Sequence, residues 1–262
     1  MKYLADFVAN LQSKGRYTFT LVDAKKMLNS SDLAIKRSLQ RFSKKKAIAL
    51  LHRGFYVVIP LEYRERGILP PEWFIDDLMK FLGLSYYVGL STAAAIHGAA
   101  HQQPQGFHVL VPRSLRDIQI GNLRIRFFKK ANLAATAVVQ TKTTTGYIPV
   151  SEPAGTAIDL VAYARRLGGL SRVVTILQEL AERIEPIALV RAAEGERSLA
   201  PVQRLGYLLE KIGHTECIPD LAAWLSSKHP FPTPLQPGEP KKASKRDPKW
   251  EVLINIDVEG DL

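Results

Sequence analysis

Residues 31–46 carry a pattern that leaves few folds open. Ile35, Leu39 and Phe42 recur at i, i+4 and i+7, the stripe by which a helix packs on a core. At about 100° per residue, Arg37, Arg41 and Lys44 fall nearly opposite that stripe, with Gln40 and Leu33 flanking them and Lys36 nearer the edge. After Asp32 this helix has no acidic residue, whereas a merely solvated face normally mixes both signs. Like charges one turn apart repel unless phosphates neutralise them, and arginines beside a glutamine can read base edges in a major groove.

The neighbouring residues place this helix in a fold. Leu4, Phe7, Val8 and Leu11 make an amphipathic first helix that Gly15 stops, and Tyr17 to Phe19 read as a short extended piece. Thr20, with Asp23 three residues on, is the signature of a capping box that opens a second helix with Leu21, Ala24 and Leu28 on one face. Asn29-Ser30-Ser31 breaks it, and Ser30 or Ser31 caps the basic helix. Residues 47–51 and 55–59 are two β-prone runs joined by His52-Arg53-Gly54, a hairpin with a basic tip. Helix, short strand, helix, break, basic helix, hairpin is the order of a winged helix-turn-helix, with residues 31–46 as recognition helix and Arg53 on the wing.

Charge supports this division. The chain of 262 residues has a net charge of +11, and residues 1–60 contain 12 Lys and Arg against Asp6, Asp23 and Asp32, so most of the excess lies in the first quarter. Pro70-Pro71 marks the boundary segment, giving a DNA-binding domain over 1–66 and a larger domain over 67–262. In the second domain, residues 72–82 and 91–97 read as helices, with Ser91 as the cap of an Ala-rich one. Residues 107–111, 123–128 and 137–147 read as strands, and 153–166, 170–184, 199–212 and 218–225 as amphipathic helices. The fold class is therefore α+β, with a small sheet and a helical C-terminal half. A proline-stiffened basic segment at 230–248 precedes a possible final strand within 250–258.

Other chemistries find little support. The single cysteine, Cys217, rules out an internal disulfide, and no Cys/His cluster points to zinc. No apolar run is long enough for a signal peptide or a membrane span, so the cytoplasm is the expected location. His97 and His101 are four apart, but Gly98 stands where a metalloprotease motif needs Glu, so capping or packing is the favoured reading; His108 lies in a strand-like run. Gly89-Leu90-Ser91 does not extend to a nucleophile elbow, and Gly168-Gly169 reads as a turn between helices rather than a phosphate loop. Asp76, Asp77, Asp159, Asp257 and Glu259 form no spaced carboxylate pair, so neither catalysis nor a cofactor is called for. Arg113, Arg116, Arg124, Arg126, Lys129 and Lys130 fall within 18 residues, with Arg124 and Arg126 on the same side of a strand. They are either a charged edge that deters aggregation or a binding face.

Several stretches, taken in order, resemble the AbiEi-type antitoxins of bacterial type IV toxin-antitoxin (abortive infection) systems. Residues 1–7, Ser38-Leu39-Gln40-Arg41-Phe42 and Gly54-Phe55-Tyr56-Val57-Val58 are similar to the family's winged helix-turn-helix. Residues 86–98, from Tyr86-Tyr87-Val88-Gly89 to His97-Gly98, and residues 107–112 are similar to its antitoxin domain. Residues 151–160 resemble the family's helix-opening pattern, with Gly155 where many members carry Arg. The resemblance implies a DNA-binding repressor of its own operon, acting cooperatively on inverted repeats, and an antitoxin domain that neutralises a cognate nucleotidyltransferase-like toxin, directly or indirectly. It also gives the basic face of Arg124, Arg126, Lys129 and Lys130 a role in antitoxicity. The chain has neither a Gly-Ser dipeptide nor an Asp-x-Asp pair, elements that such transferases use, and is not itself the toxin.

On this reading Lys36, Arg37, Gln40, Arg41, Lys44 and Arg53 contact double-stranded DNA, and a monomer pairs on the inverted repeats without membrane attachment. The alternatives are an enzyme acting on nucleic acid and a transcription factor whose larger domain senses a ligand.

Overall fold

Local signals set the first six elements of the computed structural model, which describes residues 3–99, 104–240 and 244–258. Helix α1 spans Leu4–Ser13, strand β1 Thr18–Thr20, helix α2 Leu21–Leu28, helix α3 Asp32–Lys44, and strands β2 and β3 Ile48–His52 and Phe55–Val58. Thr20 caps α2: its Oγ1 accepts from Asp23 N at 3.1 Å while the Asp23 carboxylate takes the Thr20 backbone N–H at 2.8 Å. Ser31, rather than Ser30, caps α3 through the Ala34 N–H. The three strands form one antiparallel sheet in the order β1-β3-β2. Phe7, Leu11, Ala24, Leu28, Ile35 and Leu39 pack on Phe19, Ile48 and Val58 as its core.

The hairpin does not stand free. Its Ala49, Leu51, Phe55, Val57 and Ile59 share a hydrophobic core with Ile75, Leu78 and Met79 of helix α4 (Ile75–Leu82) and with one face of a larger sheet. Phe81 of α4 lies against the hairpin tip, 5.3 Å from the Phe55 ring and 6.1 Å from His52. The basic turn is thus held from behind by the second half of the chain.

That half is built on six strands, not a small sheet. Strands β4 (Tyr87–Val88), β5 (Phe107–Val111), β6 (Ile118–Ile120), β7 (Leu123–Lys129), β8 (Val138–Thr143) and β9 (Gly146–Ser151) run in the order β6-β7-β5-β4-β9-β8. Neighbours β7/β5 and β4/β9 are parallel, and the other pairs antiparallel. The two-residue β4 and three-residue β6 carry no readable alternation, which hides the sheet's width from the sequence. Alternation then decides the layers: Val109, Val111, Ile125 and Phe127 face the α4 side, whereas Leu110 and Phe128 face a helical half. Helix α5 (Leu90–Ile96) sits between. Its N-cap is Gly89, and Ser91 lies buried inside the helix instead of capping it, because the helix starts one residue early at Leu90 with φ +56°.

The helical half surrounds α6 (Pro153–Ala162), whose residues 154–161 are all buried. Around it lie α7 (Ala164–Leu167), α8 (Leu170–Leu180), α9 (Pro186–Glu194), α10 (Ala200–Lys211) and α11 (Ile218–Ser227). A three-stranded sheet of β10 (Thr233–Pro234), β11 (Lys245–Asp247) and β12 (Val252–Ile254) closes this end in the order β10-β12-β11. The segment read as proline-stiffened surface therefore supplies strands as well, with Thr233 and Leu235 buried; its Lys241 and Lys242 lie outside the described residues. Trp250 is fully buried on α10, where a Cβ on Gly206 would come within 2.1 Å of the indole. Only glycine lets the indole approach the helix that closely.

Candidate functional site

Helix α3 presents Lys36, Arg37, Gln40, Arg41 and Lys44 to solvent while Ile35 and Leu39 are buried. Asp32, its sole acid, is paired with Lys25 of α2 at 2.7 Å, so it does not neutralise the outward face. Arg53 is exposed at the β2–β3 turn, where Gly54 adopts φ +85°. The Gly54 carbonyl accepts from Leu21 N at 2.8 Å, fixing the turn to the start of α2. The six residues singled out in this region are all accessible.

The second basic group divides. Arg124 and Arg126 share one face of β7 as alternation requires, and both approach Asp117, at 3.5 and 3.9 Å. Arg124 is half-exposed and Lys129 exposed, whereas Arg126 is largely covered and lies over the Phe128 ring, 5.2 Å from its centroid. Lys130 is not part of this surface. It is buried, and its Nζ donates to Asp159 Oδ1 at 2.8 Å and to Glu196 Oε1 at 2.7 Å. Alternation places Lys130 on the face that carries Phe128, and that face is covered by the helical half, so its charge is met inside.

Lys130 is the centre of a buried polar site. Tyr87 Oη donates to Asp159 Oδ2 at 2.6 Å and lies 3.3 Å from Thr136 Oγ1, and Tyr163 Oη donates to the Lys129 carbonyl. Burial opposes the charge on Lys130, but Asp159 and Glu196 overcome it and hold the ammonium above its ordinary range. With two carboxylates against one ammonium the site is one proton short of neutral, and burial accordingly pushes the Asp159 carboxyl up. The Tyr87 phenol is raised by burial and by Asp159, and Tyr163 is pushed up to about 12 by burial, with Asp159 and Glu196 adding to it. The arrangement ties β4, β7, α6 and the end of α9 together. Gly155 lies one turn before Asp159, and a Cβ there would be 3.1 Å from Thr136 Cγ2, so a larger side chain at 155 displaces Thr136.

His108 occupies the same inner face of the sheet. It is 4% exposed, its ring packs edge-on against Phe128 with centroids 5.3 Å apart, and its Nδ1 has no hydrogen-bond partner. Burial, reinforced by Arg126, Arg172 and Arg166, pushes its pKa down to about 3. Arg166 lies over the Phe128 ring at 4.0 Å. Arg166 and Arg172 escaped sequence reasoning because they follow the strands by some forty residues; the signal available was the run Arg165-Arg166 just before Gly168-Gly169. His97 lies next to a Ser151 carbonyl, 2.7 Å from Nε2, a packing role, and His101 lies outside the described residues. Among the described residues, no three His, Cys, Asp or Glu side chains gather as metal ligands, and no helix is long and apolar enough to cross a membrane. Cys217 is buried, and its thiol is raised by burial.

A mixed sheet between a basic three-helix unit and a helical half is an architecture already known. The fold is similar to that of the RV2827C protein from Mycobacterium tuberculosis, seen in its crystal structure, with a TM-score of 0.68 at 17% sequence identity over 95% of this chain and 90% of that chain. At that identity the likeness is one of fold. Residues 87–211, from β4 to the end of α10, match the family model described as the AbiEi antitoxin C-terminal domain. The chain carries an AbiEi antitoxin domain, as the resemblance in its sequence implies. No curated protein matches it.

Proposed function

We propose that the protein is the antitoxin of a bacterial type IV toxin-antitoxin pair and represses its own promoter. The first 66 residues act as a winged helix-turn-helix. The observation that carries this reading is the face of α3, where Lys36, Arg37, Gln40, Arg41 and Lys44 are exposed without an opposing carboxylate. Arg37 and Gln40 reach base edges, Arg41 and Lys44 fix the register on bases or phosphates, and Arg53 touches the adjacent minor groove or its backbone. Two copies pair on inverted repeats.

The antitoxin domain neutralises a cognate nucleotidyltransferase-like toxin, and the exposed basic residues of β7 serve that step: Arg124, with the largely covered Arg126 on the same face, and Lys129 at the end of the strand on the other. Lys130 supports the fold instead.

A salt titration of binding to the DNA upstream of the gene, against a scrambled duplex of equal length, tests the repressor reading. The expected result is a preference for the upstream DNA that survives near-physiological salt, with a log-log slope of about 0.9 per phosphate contact. Arg37→Ala weakens operator binding by about 1 to 3 kcal/mol and relaxes specificity. Equal losses on both duplexes would remove Arg37 from base recognition. For the second activity, Arg124→Glu with Lys129→Glu abolishes rescue of cells expressing the adjacent toxin gene while operator binding persists.

A further inference from the structure

The turn between α7 and α8 has features that toxin and DNA binding leave unused. Gly168 and Gly169 both take positive φ, +104° and +102°, so the chain leaves α7 and enters α8 through a backbone turn that side chains disfavour. The eleven-residue α8 then begins with no side-chain cap and no acid in its first turn, so neither a capping side chain nor a first-turn carboxylate offsets its leading N–H groups and the positive end of the helix dipole. Arg172 belongs to that first turn, and its Cδ lies 3.3 Å from where a Gly168 Cβ would be, which folds the side chain over the glycine turn.

A second observation comes from the sheet below. His108, Arg126 and Arg166 all surround the Phe128 ring, at 5.3, 5.2 and 4.0 Å from its centroid. Arg126 Nη2 donates to the Arg166 carbonyl at 3.1 Å, and Arg166 Nη2 to the Phe127 carbonyl at 3.2 Å, so each guanidinium is braced with donors to spare. His108, 4% exposed, has its Nδ1 buried without a hydrogen-bond partner, and Arg126 Nε also lacks a hydrogen bond, with Asp117 Oδ2 facing it at 3.9 Å. Buried polar atoms are rarely left unpaired in native proteins. The carboxylate that meets this cluster is Asp117, 3.5 Å from Arg124 and 3.9 Å from Arg126, against the charges of Arg124, Arg126, Arg166 and Arg172.

We propose that the Gly168-Gly169 turn, the first turn of α8 and the side chains of Arg126, Arg166, Arg172 and His108 form a binding site for a compact phosphate group. A helix N-terminus and forked guanidinium groups are the two devices by which proteins hold phosphate oxygens, and they meet here. The near-complete burial of His108 selects a terminal phosphate over the backbone of a duplex. A free nucleotide and the 5′-phosphorylated end of an oligonucleotide offer this same chemistry.

The site is independent of the operator-binding reading and shares only Arg126 with the basic β7 face, so its test rests on Arg166 and Arg172. Calorimetry of the full chain with pyrophosphate, GTP, and 5′-phosphorylated and 5′-hydroxyl oligonucleotides gives saturable binding of the phosphorylated probes. Arg172→Ala and Arg166→Ala each weaken it at least about tenfold, the usual effect of losing one charged hydrogen bond, with unchanged circular dichroism and operator affinity. Tighter binding of GTP than of the phosphorylated oligonucleotide assigns the site to a nucleotide, and the reverse order to a nucleic-acid end. In the wild-type chain, the His108 ring followed by NMR takes up a proton at higher pH when pyrophosphate is present. No saturable binding of any phosphorylated probe, equal binding of the 5′-hydroxyl oligonucleotide, or affinities unchanged in both arginine variants would overturn the proposal. A chain that binds phosphate but not its operator loses the repressor reading alone.

Discussion

Lys130 shows how much one side chain can depend on partners far away in sequence. Its ammonium holds two carboxylates, one 29 and one 66 residues further along the chain. Lys130→Met leaves the buried Asp159 with the Tyr87 hydrogen bond but no countercharge, and destabilises the protein by about 3 to 5 kcal/mol in urea unfolding. A loss under 1 kcal/mol would show that water reaches the site. His108 adds a pH dependence of definite sign. Its folded pKa of about 3 lies below the ordinary value of 6.5, so between these values the unfolded chain binds more protons and stability falls as pH drops. The loss amounts to at most about 1.4 kcal/mol per pH unit, and it disappears in His108→Gln when the two stability curves are subtracted. Neither residue's surroundings were legible in the sequence. Strand alternation alone puts Lys130 on the side of Phe128, but nothing local says that this side is the inner one, nor that Glu196 waits there.

Elements were legible where one face is buried against a near neighbour. The stripe of Ile35, Leu39 and Phe42, the Thr20 and Asp23 cap and the glycine turn at Gly54 are each written within eight residues, and α2, α3 and the β2–β3 hairpin follow from them. The six-stranded sheet was not, because β4 and β6 are too short to show a period and owe their place to pairing with β5 and β7. Its helical side illustrates the same limit: α10 looks like an ordinary amphipathic helix, and the need for glycine at 206 appears only with Trp250 against it. Gly206→Ala forces the indole outward and costs about 1 to 3 kcal/mol, readable as a lower unfolding midpoint. If Trp250→Leu restores the midpoint in the Gly206→Ala background, the clash is its cause.

For the whole molecule, the shared core beneath the hairpin matters most. The sequence suggested a boundary near residue 66, and the charge does change there, yet Ala49, Leu51, Phe55, Val57 and Ile59 bury their side chains with α4 and the large sheet. A fragment of residues 1–66 therefore exposes this apolar face, and it aggregates or stays partly folded when made alone. In the full chain, hydrogen exchange from the β2–β3 amides and from β7 proceeds at one common opening free energy. Faster exchange in β2 and β3 alone would mean that the N-terminal unit opens independently.

The buried back of the hairpin also bears on how two copies would share one stretch of DNA. A reading head on a loose tether can turn to follow its half-site, but here the head is mounted on the body through Phe55 and Phe81, with no swivel between them. On the repressor reading proposed above, the separation of half-sites would become a property of the body's bulk, and helical phase would enter the grammar of the operator. Shifting one half-site by about five base pairs, half a helical turn, turns one body to the opposite side of the duplex, out of reach of its partner.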